Sequence, residues 1–124
     1  MRTRIGAAPR LRQFYWCDFT TPPVLPEFGK SRPVLVLSPN NTLNGHCLVL
    51  PVSTDPQTGR ERWAHKIANP PFDRRDCWIV CNHLYTVSNA RLAPPKARKI
   101  PRLPAEEFDA VLDIVRDWLP MFGR

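Results

Sequence analysis

Apolar residues in this chain fall in short unbroken runs, and turn-forming residues cut the runs apart. Phe14-Tyr15-Trp16-Cys17-Asp18-Phe19 is aromatic-rich and reads as a first strand, because bulky side chains suit a pleated, half-buried surface. Thr20 to Ser31 holds Pro22, Pro23, Pro26 and Gly29, so it reads as a long loop rather than a ladder strand. Pro33 to Ser38 is a continuous Val and Leu run, a buried second strand that stops at Pro39-Asn40-Asn41. A third strand runs from Cys47 to Ser53 after Gly45, and Asp55-Pro56-Gln57-Thr58-Gly59 is a turn by composition. Arg62 to Ile67 reads as a short fourth strand, Cys77 to Asn82 as a fifth and Leu84 to Val87 as a short sixth. Residues 93–104, rich in Pro, Lys and Arg, are expected to be extended and exposed.

One segment has helical periodicity. Phe108, Val111, Leu112, Val115 and Leu119 recur at i, i+3, i+4, i+7 and i+11 and form one apolar stripe. Pro104 suits a first turn, Glu106 and Glu107 complement the positive helix end, and Pro120 stops the run, which predicts a helix over about 104–119. The fold class is therefore mainly β with a C-terminal α-helix: a small, strongly bent sheet or barrel with the helix packed on it.

Composition narrows the function more than the fold. A chain of 124 residues has room for one core, and the expected organisation is a flexible basic arm over 1–11 followed by one domain over 12–124. The 18 Lys and Arg outweigh 11 Asp and Glu, leaving +7, which favours a polyanionic partner, nucleic acid first. Nothing approaches the ~20 apolar residues of a membrane span. The N-terminus is basic but has no apolar stretch behind it, unlike a secretory signal, so the expected compartment is the cytoplasm, away from membranes. There the four cysteines should stay reduced. Cys77-x3-Cys81-x-His83 lacks a second knuckle to complete a zinc set, and all four thiols lie in apolar runs, so buried free thiols are expected rather than a metal site.

The candidate chemistry lies where strands meet loops. Glu27, Lys30 and Arg32 precede the second strand, and Ser53 and Thr54 end the third. No cofactor fingerprint accompanies them, and the set points to phosphodiester handling without metal or cofactor. Arg32 carries a planar fork that grips two phosphate oxygens and stays charged. Ser53 either donates to a phosphate oxygen or bonds local backbone at a strand end, and Thr54 beside it faces the same choice. Glu27 either orients Arg32, accepts a 2′-hydroxyl proton, or is a solvated loop acid. His83 brings a titrating imidazole near a strand end. Lys30, Arg62 and Arg91 are further candidates for substrate contact. Trp63, Phe72, Trp78 and Tyr85 lie among basic residues, either stacking on splayed bases or filling the core.

These residues resemble the MazF/PemK (Kid) family of toxin endoribonucleases. The resemblance is carried by Phe14-Tyr15-Trp16-Cys17-Asp18-Phe19, by Glu27-x-Gly29-x-x-Arg32-Pro33-Val34-Leu35-Val36-Leu37, by Leu50-Pro51-Val52-Ser53-Thr54 and by Leu84-x6-Arg91-Leu92. Phe28 stands where the family usually has Gln, and Leu25-Pro26 replaces its Gly-Ser. The resemblance implies a small SH3-like barrel, shared with the CcdB toxins, and the toxin half of a type II toxin–antitoxin system. It further implies a homodimer, silenced by a cognate acidic antitoxin, that cleaves single-stranded mRNA in a sequence-selective, metal-independent reaction. Arg32, Ser53 and Glu27 would then be catalytic. A non-catalytic gyrase-directed toxin of the CcdB kind and a plain RNA-binding module are the alternatives. The trio of Glu27, Arg32 and Ser53 favours the nuclease, since a gyrase-binding surface has no need of it.

Overall fold

The computed structural model describes residues 4–19, 30–72, 74–96 and 99–120, with only the backbone of Lys30 described. Seven strands form one antiparallel sheet: β1 (Phe14–Phe19), β2 (Lys30–Val36), β3 (His46–Ser53), β4 (Ala64–Lys66), β5 (Trp78–Val80), β6 (Tyr85–Ser88) and β7 (Leu92–Ala93). The helix α1 (Ala105–Trp118) follows. The strand order is β4-β5-β3-β2-β1-β7, with β6 pairing β3 off this path. The result is a small barrel-like sheet that does not close.

Both faces of β2 and β3 are buried over most of their length, which explains why these strands read as unbroken apolar runs. Along β2, Val34 and Val36 enter one core cluster while Leu35 enters the other; along β3, Cys47 and Val49 oppose Leu50 and Val52. Phe108, Val111 and Val115 cover the first cluster with α1. At roughly 1.5–3 kcal/mol per fully buried large apolar side chain, this stripe is the chief anchor of the helix. The stripe stops at Val115. Leu119 caps the helix through its N–H to Val115 O at 3.1 Å and is 41% exposed, so it does not extend the buried face.

Two expected segments differ. Arg62 to Ile67 is only half strand: Glu61–Trp63 is a 3-10 turn, and β4 begins at Ala64. Residues 93–104 are not uniformly exposed, since Leu103 is 1% exposed and Pro95 is buried. The cause is pairing with the start of β1. Phe14 N donates to Pro101 O at 3.0 Å and Leu103 N to Arg12 O at 2.9 Å. Arg102 is thereby turned outward and Leu103 inward. The described part of the N-terminal arm lies against the second cluster. Ile5 is 5% exposed, Arg4 Nη2 donates to Arg91 O at 3.0 Å, and Asn41 Nδ2 donates to Pro9 O at 2.9 Å.

One polar clamp ties α1 to the sheet. Glu107 Oε1 lies 2.9 Å from His65 Nε2 on β4 and accepts Ala68 N–H at 3.0 Å. Truncating its carboxylate removes the partner of the part-buried His65 ring nitrogen and of the exposed Ala68 N–H. Glu107→Ala is therefore expected to lower unfolding free energy in urea by about 1–3 kcal/mol, with Glu107→Gln recovering part of the loss. An unchanged midpoint in Glu107→Ala would show that the clamp adds nothing to stability.

Candidate active-site cleft

The cleft exists because two prolines interrupt hydrogen bonding on either side of β3. Leu37 N donates to Leu48 O at 2.8 Å. Bonded pairs alternate along an antiparallel ladder, so the next are Leu35/Leu50 and then Pro33/Val52. Pro33 has no N–H to give. The β2–β3 register ends at Val34↔Pro51, while β2 continues beside β1 as far as Phe19↔Lys30. Meanwhile β3 continues beside β5, through Val52↔Ile79 and Ser53↔Trp78. The strands part here, and a cleft of about 260 Å³ lies over the parting.

Arg32, Pro33, Val52 and Thr54 line the cleft together with Ser31, Trp16, Phe72 and Arg75. Two guanidinium-bearing residues and two hydroxyl-bearing residues, Ser31 and Thr54, thus face one space, and no carboxylate is among the described residues lining it. Arg32 is half-buried and sits opposite Cys17 on β1. Arg32 and Ser53 both lie beyond the last β2–β3 pair, Val34↔Pro51, on the two strands that part there.

Ser53 and Thr54 take different positions. Ser53 is 3% exposed, and its Oγ accepts Asp55 N–H at 3.1 Å. This closes the turn after β3 in the manner of a strand-end hydroxyl. Gln57 Nε2 then donates to Asp55 O at 2.8 Å and fixes the next step. Thr54 is exposed by the turn and reaches the cleft. Sequence alone does not separate two adjacent hydroxyls; the buried one shapes the turn that presents the other.

The remaining expected residues disperse. Glu27 lies outside the described residues, as does most of its loop. Arg62 is at the helix side, its guanidinium 4.4 Å from the centroid of Trp63, which packs edge-on against Trp118 at 5.0 Å. Arg91 Nη1 donates to Asp18 O at 3.0 Å and so braces the end of β1. His83 follows β5, its N–H on Val80 O at 3.3 Å, and is not among the cleft-lining residues. Of the aromatics, Phe72 reaches the cleft, whereas Tyr85 packs on Phe19 at 5.2 Å. Trp16 was legible only as a strand residue, yet it is 37% exposed and lines the cleft.

All four cysteines are buried, and none is in a disulfide. Among the described residues no group of three His, Cys, Asp or Glu side chains could hold a metal ion, and no helix is long and apolar enough to cross a membrane.

A bent antiparallel sheet of short strands, covered by one helix and carrying a cationic cleft at the parting of two strands, defines a small basic barrel-like domain. The chain belongs to the PemK-like, MazF-like toxins of type II toxin-antitoxin systems, whose family pattern matches residues 11–119. Its fold is similar to MazF (Form-I) from Deinococcus radiodurans, with TM-score 0.69 and 21% identity over 92% of this chain and 98% of that one. The Mycobacterium tuberculosis toxin MazF-mt6 is similar with TM-score 0.64 and 16% identity, over 86% and 95% of the two chains. An endoribonuclease in complex with its cognate antitoxin, from a mycobacterial species, superposes with TM-score 0.63 and 16% identity, over 92% and 99%. No curated protein matches the sequence.

Burial, and then the nearby charge of Arg60, push the His83 pKa below its ordinary value. The unfolded chain therefore takes up a proton that the folded one resists, and stability rises with pH across that window. The His83 contribution should be fully present above pH ~6.5 and decline as pH falls toward the lower folded value. Urea midpoints from pH 7.5 down to 5 are expected to fall less steeply in His83→Gln than in the unsubstituted protein. Parallel curves would remove His83 from the acid response.

Proposed function

We propose that this protein is the toxin of a type II toxin–antitoxin pair and acts as a metal-independent endoribonuclease on single-stranded RNA. The observation that carries the reading is the convergence of Arg32, Thr54 and Arg75 on one cleft. The family assignment supports it, as do fold neighbours that include an endoribonuclease solved with its cognate antitoxin.

The chemistry asks little of the protein because RNA carries its own nucleophile. Attack of the 2′-oxygen on the adjacent phosphorus forms a 2′,3′-cyclic phosphate and breaks the bond to the 5′-oxygen, which leaves as a hydroxyl after protonation. The 2′-hydroxyl proton goes to a base. What remains is to hold the phosphate and stabilise the extra charge on its equatorial oxygens. Arg32 is suited to this by its bidentate geometry. Thr54 donates a hydrogen bond to the same group from the exposed side of the turn. Ser53 holds that turn by accepting Asp55 N–H and can use its own O–H toward Arg32's side of the parting. Glu27 is proposed as the base or as the partner that orients Arg32. Sequence selectivity, the homodimer and silencing by an acidic antitoxin belong to the same proposal. A chain of net charge +7 attracts both an RNA and an acidic competitor.

Incubation of the purified protein with long single-stranded RNA in EDTA is expected to yield discrete fragments ending in 2′,3′-cyclic phosphate. Intact RNA would sink the nuclease reading and leave an RNA-binding or protein-directed toxin. Arg32→Ala should lower the cleavage rate by about 10²–10³-fold at unchanged melting temperature. Arg32→Lys should restore only part, since an ammonium lacks the fork. Thr54→Val should cost about 10–100-fold, the range of one hydrogen bond to a charged group. Ser53→Ala should also lose activity, while Ser53→Thr keeps it. Full activity of Arg32→Ala would exclude it from the reaction.

A further inference from the structure

Trp16 is an unusual surface residue. Among the described residues only Trp16, Trp118 and Leu119 are large apolar side chains left exposed, and the latter two end α1. Trp16 sits mid-strand in β1, flanked in register by Pro33 on β2 and Ala93 on β7. Neither neighbour is large enough to cover an indole. Its aromatic contact is Phe72, with ring centroids 5.7 Å apart at 63°, so the two rings do not stack face to face. Phe72 is in turn held edge-on by Phe14 at 5.6 Å and 86°, which anchors it to the core.

The two rings stand between two hollows. On one side is the cleft of Arg32 and Thr54. On the other is a groove of about 370 Å³ floored by prolines and bearing Lys96. Trp16 and Phe72 line both. No acidic side chain is among the described residues lining either one.

We propose that Trp16 and Phe72 form a stacking platform for one unpaired base of the RNA, the nucleotide adjoining the phosphate held by Arg32, and that the chain of the RNA runs on past Lys96. The proposal rests on the nuclease reading above and deepens it by naming a substrate subsite. The occupant follows from the mixture of surfaces. A base offers an apolar face with an anionic phosphate on each side, which matches the exposed indole of Trp16 and the half-buried ring of Phe72 set between Arg32 and Lys96. A duplex is excluded, because its bases are already stacked on one another and cannot reach the rings.

The test uses a single-stranded oligonucleotide made uncleavable by 2′-O-methyl groups, with 2-aminopurine substituted at one position at a time. One position is expected to be quenched on binding to the unsubstituted protein. Trp16→Leu, a surface change, should abolish that quench and weaken binding about tenfold to hundredfold, whereas Trp16→Phe should retain most of both. Lys96→Gln should lower the slope of log affinity against log salt by about one. A protein that cleaves RNA in EDTA while Trp16→Leu binds the oligonucleotide with unchanged affinity would overturn the platform and leave the nuclease standing. An unsubstituted protein that neither binds nor cleaves RNA would overturn both, and the apolar rings would then be a surface for a protein partner.

Discussion

The pairing of β3 along both of its edges is the constraint on which the rest of the domain depends. On one edge it meets β2; on the other it meets β6 through Val49↔Tyr85 and then β5 from Val52↔Ile79. Between those two partners lie Leu50, which pairs with β2, and Pro51. The alternation of bonded pairs aims its missing N–H at the edge where β6 gives way to β5. Pro33 has the same effect on the β2 side. A proline inside a sheet ordinarily removes a ladder bond at a cost; here both gaps fall where the partner changes or departs. The strands part where the ladder is least bonded, and the cleft-lining side chains collect at that parting.

This arrangement places the cleft where strand ends meet turns, with Arg32 on a strand and Thr54 and Arg75 outside the strands. Arg32 is held by β1 through the Cys17 pairing, and Thr54 is presented by a turn stitched by Ser53 and Gln57. Their positions are thus set by the same hydrogen bonds that set the core. A transition state of concentrated negative charge gains most from donors that need no rearrangement to meet it. The family assignment and the fold agree with that economy: a chain this small carries a charged site by using strand ends that it must build anyway.

The helix and the main strands were legible because each signal is local. The stripe of Phe108, Val111 and Val115 and the Pro and Glu residues at the helix start need no distant partner to be recognised. The strands β2 and β3 announce themselves as solid apolar runs because both faces are buried. What was not legible depends on contacts far along the chain. β7 is two residues long and exists through Trp16↔Ala93 and Cys17↔Leu92. Leu103 becomes core only because Arg12 accepts its N–H. The same holds for the site. Arg32 is marked by the Pro beside it, but Arg62 and Arg91 are basic residues whose destinations, an indole face and a β1 carbonyl, no local pattern reveals. The exposure of Trp16 follows from the small size of its cross-strand neighbours, which is a property of register.

The four thiols give the domain a chemical clock. Each is 5% exposed or less, and burial pushes Cys17 and Cys81 up to about 12 and Cys47 to about 11. The reactive thiolate of these three is therefore almost absent in the folded molecule, whereas Cys77 lines the cleft. Cys17 and Cys47 lie in one cluster and Cys77 and Cys81 in the other, so the two halves of the core are marked independently. Modification at Cys17, Cys47 or Cys81 must wait for its side of the sheet to open. The chemical lifetime of the protein under oxidative conditions is thus set by how often β1, β3 or β5 comes apart, and the order in which the thiols react reports which face of the sheet opens first.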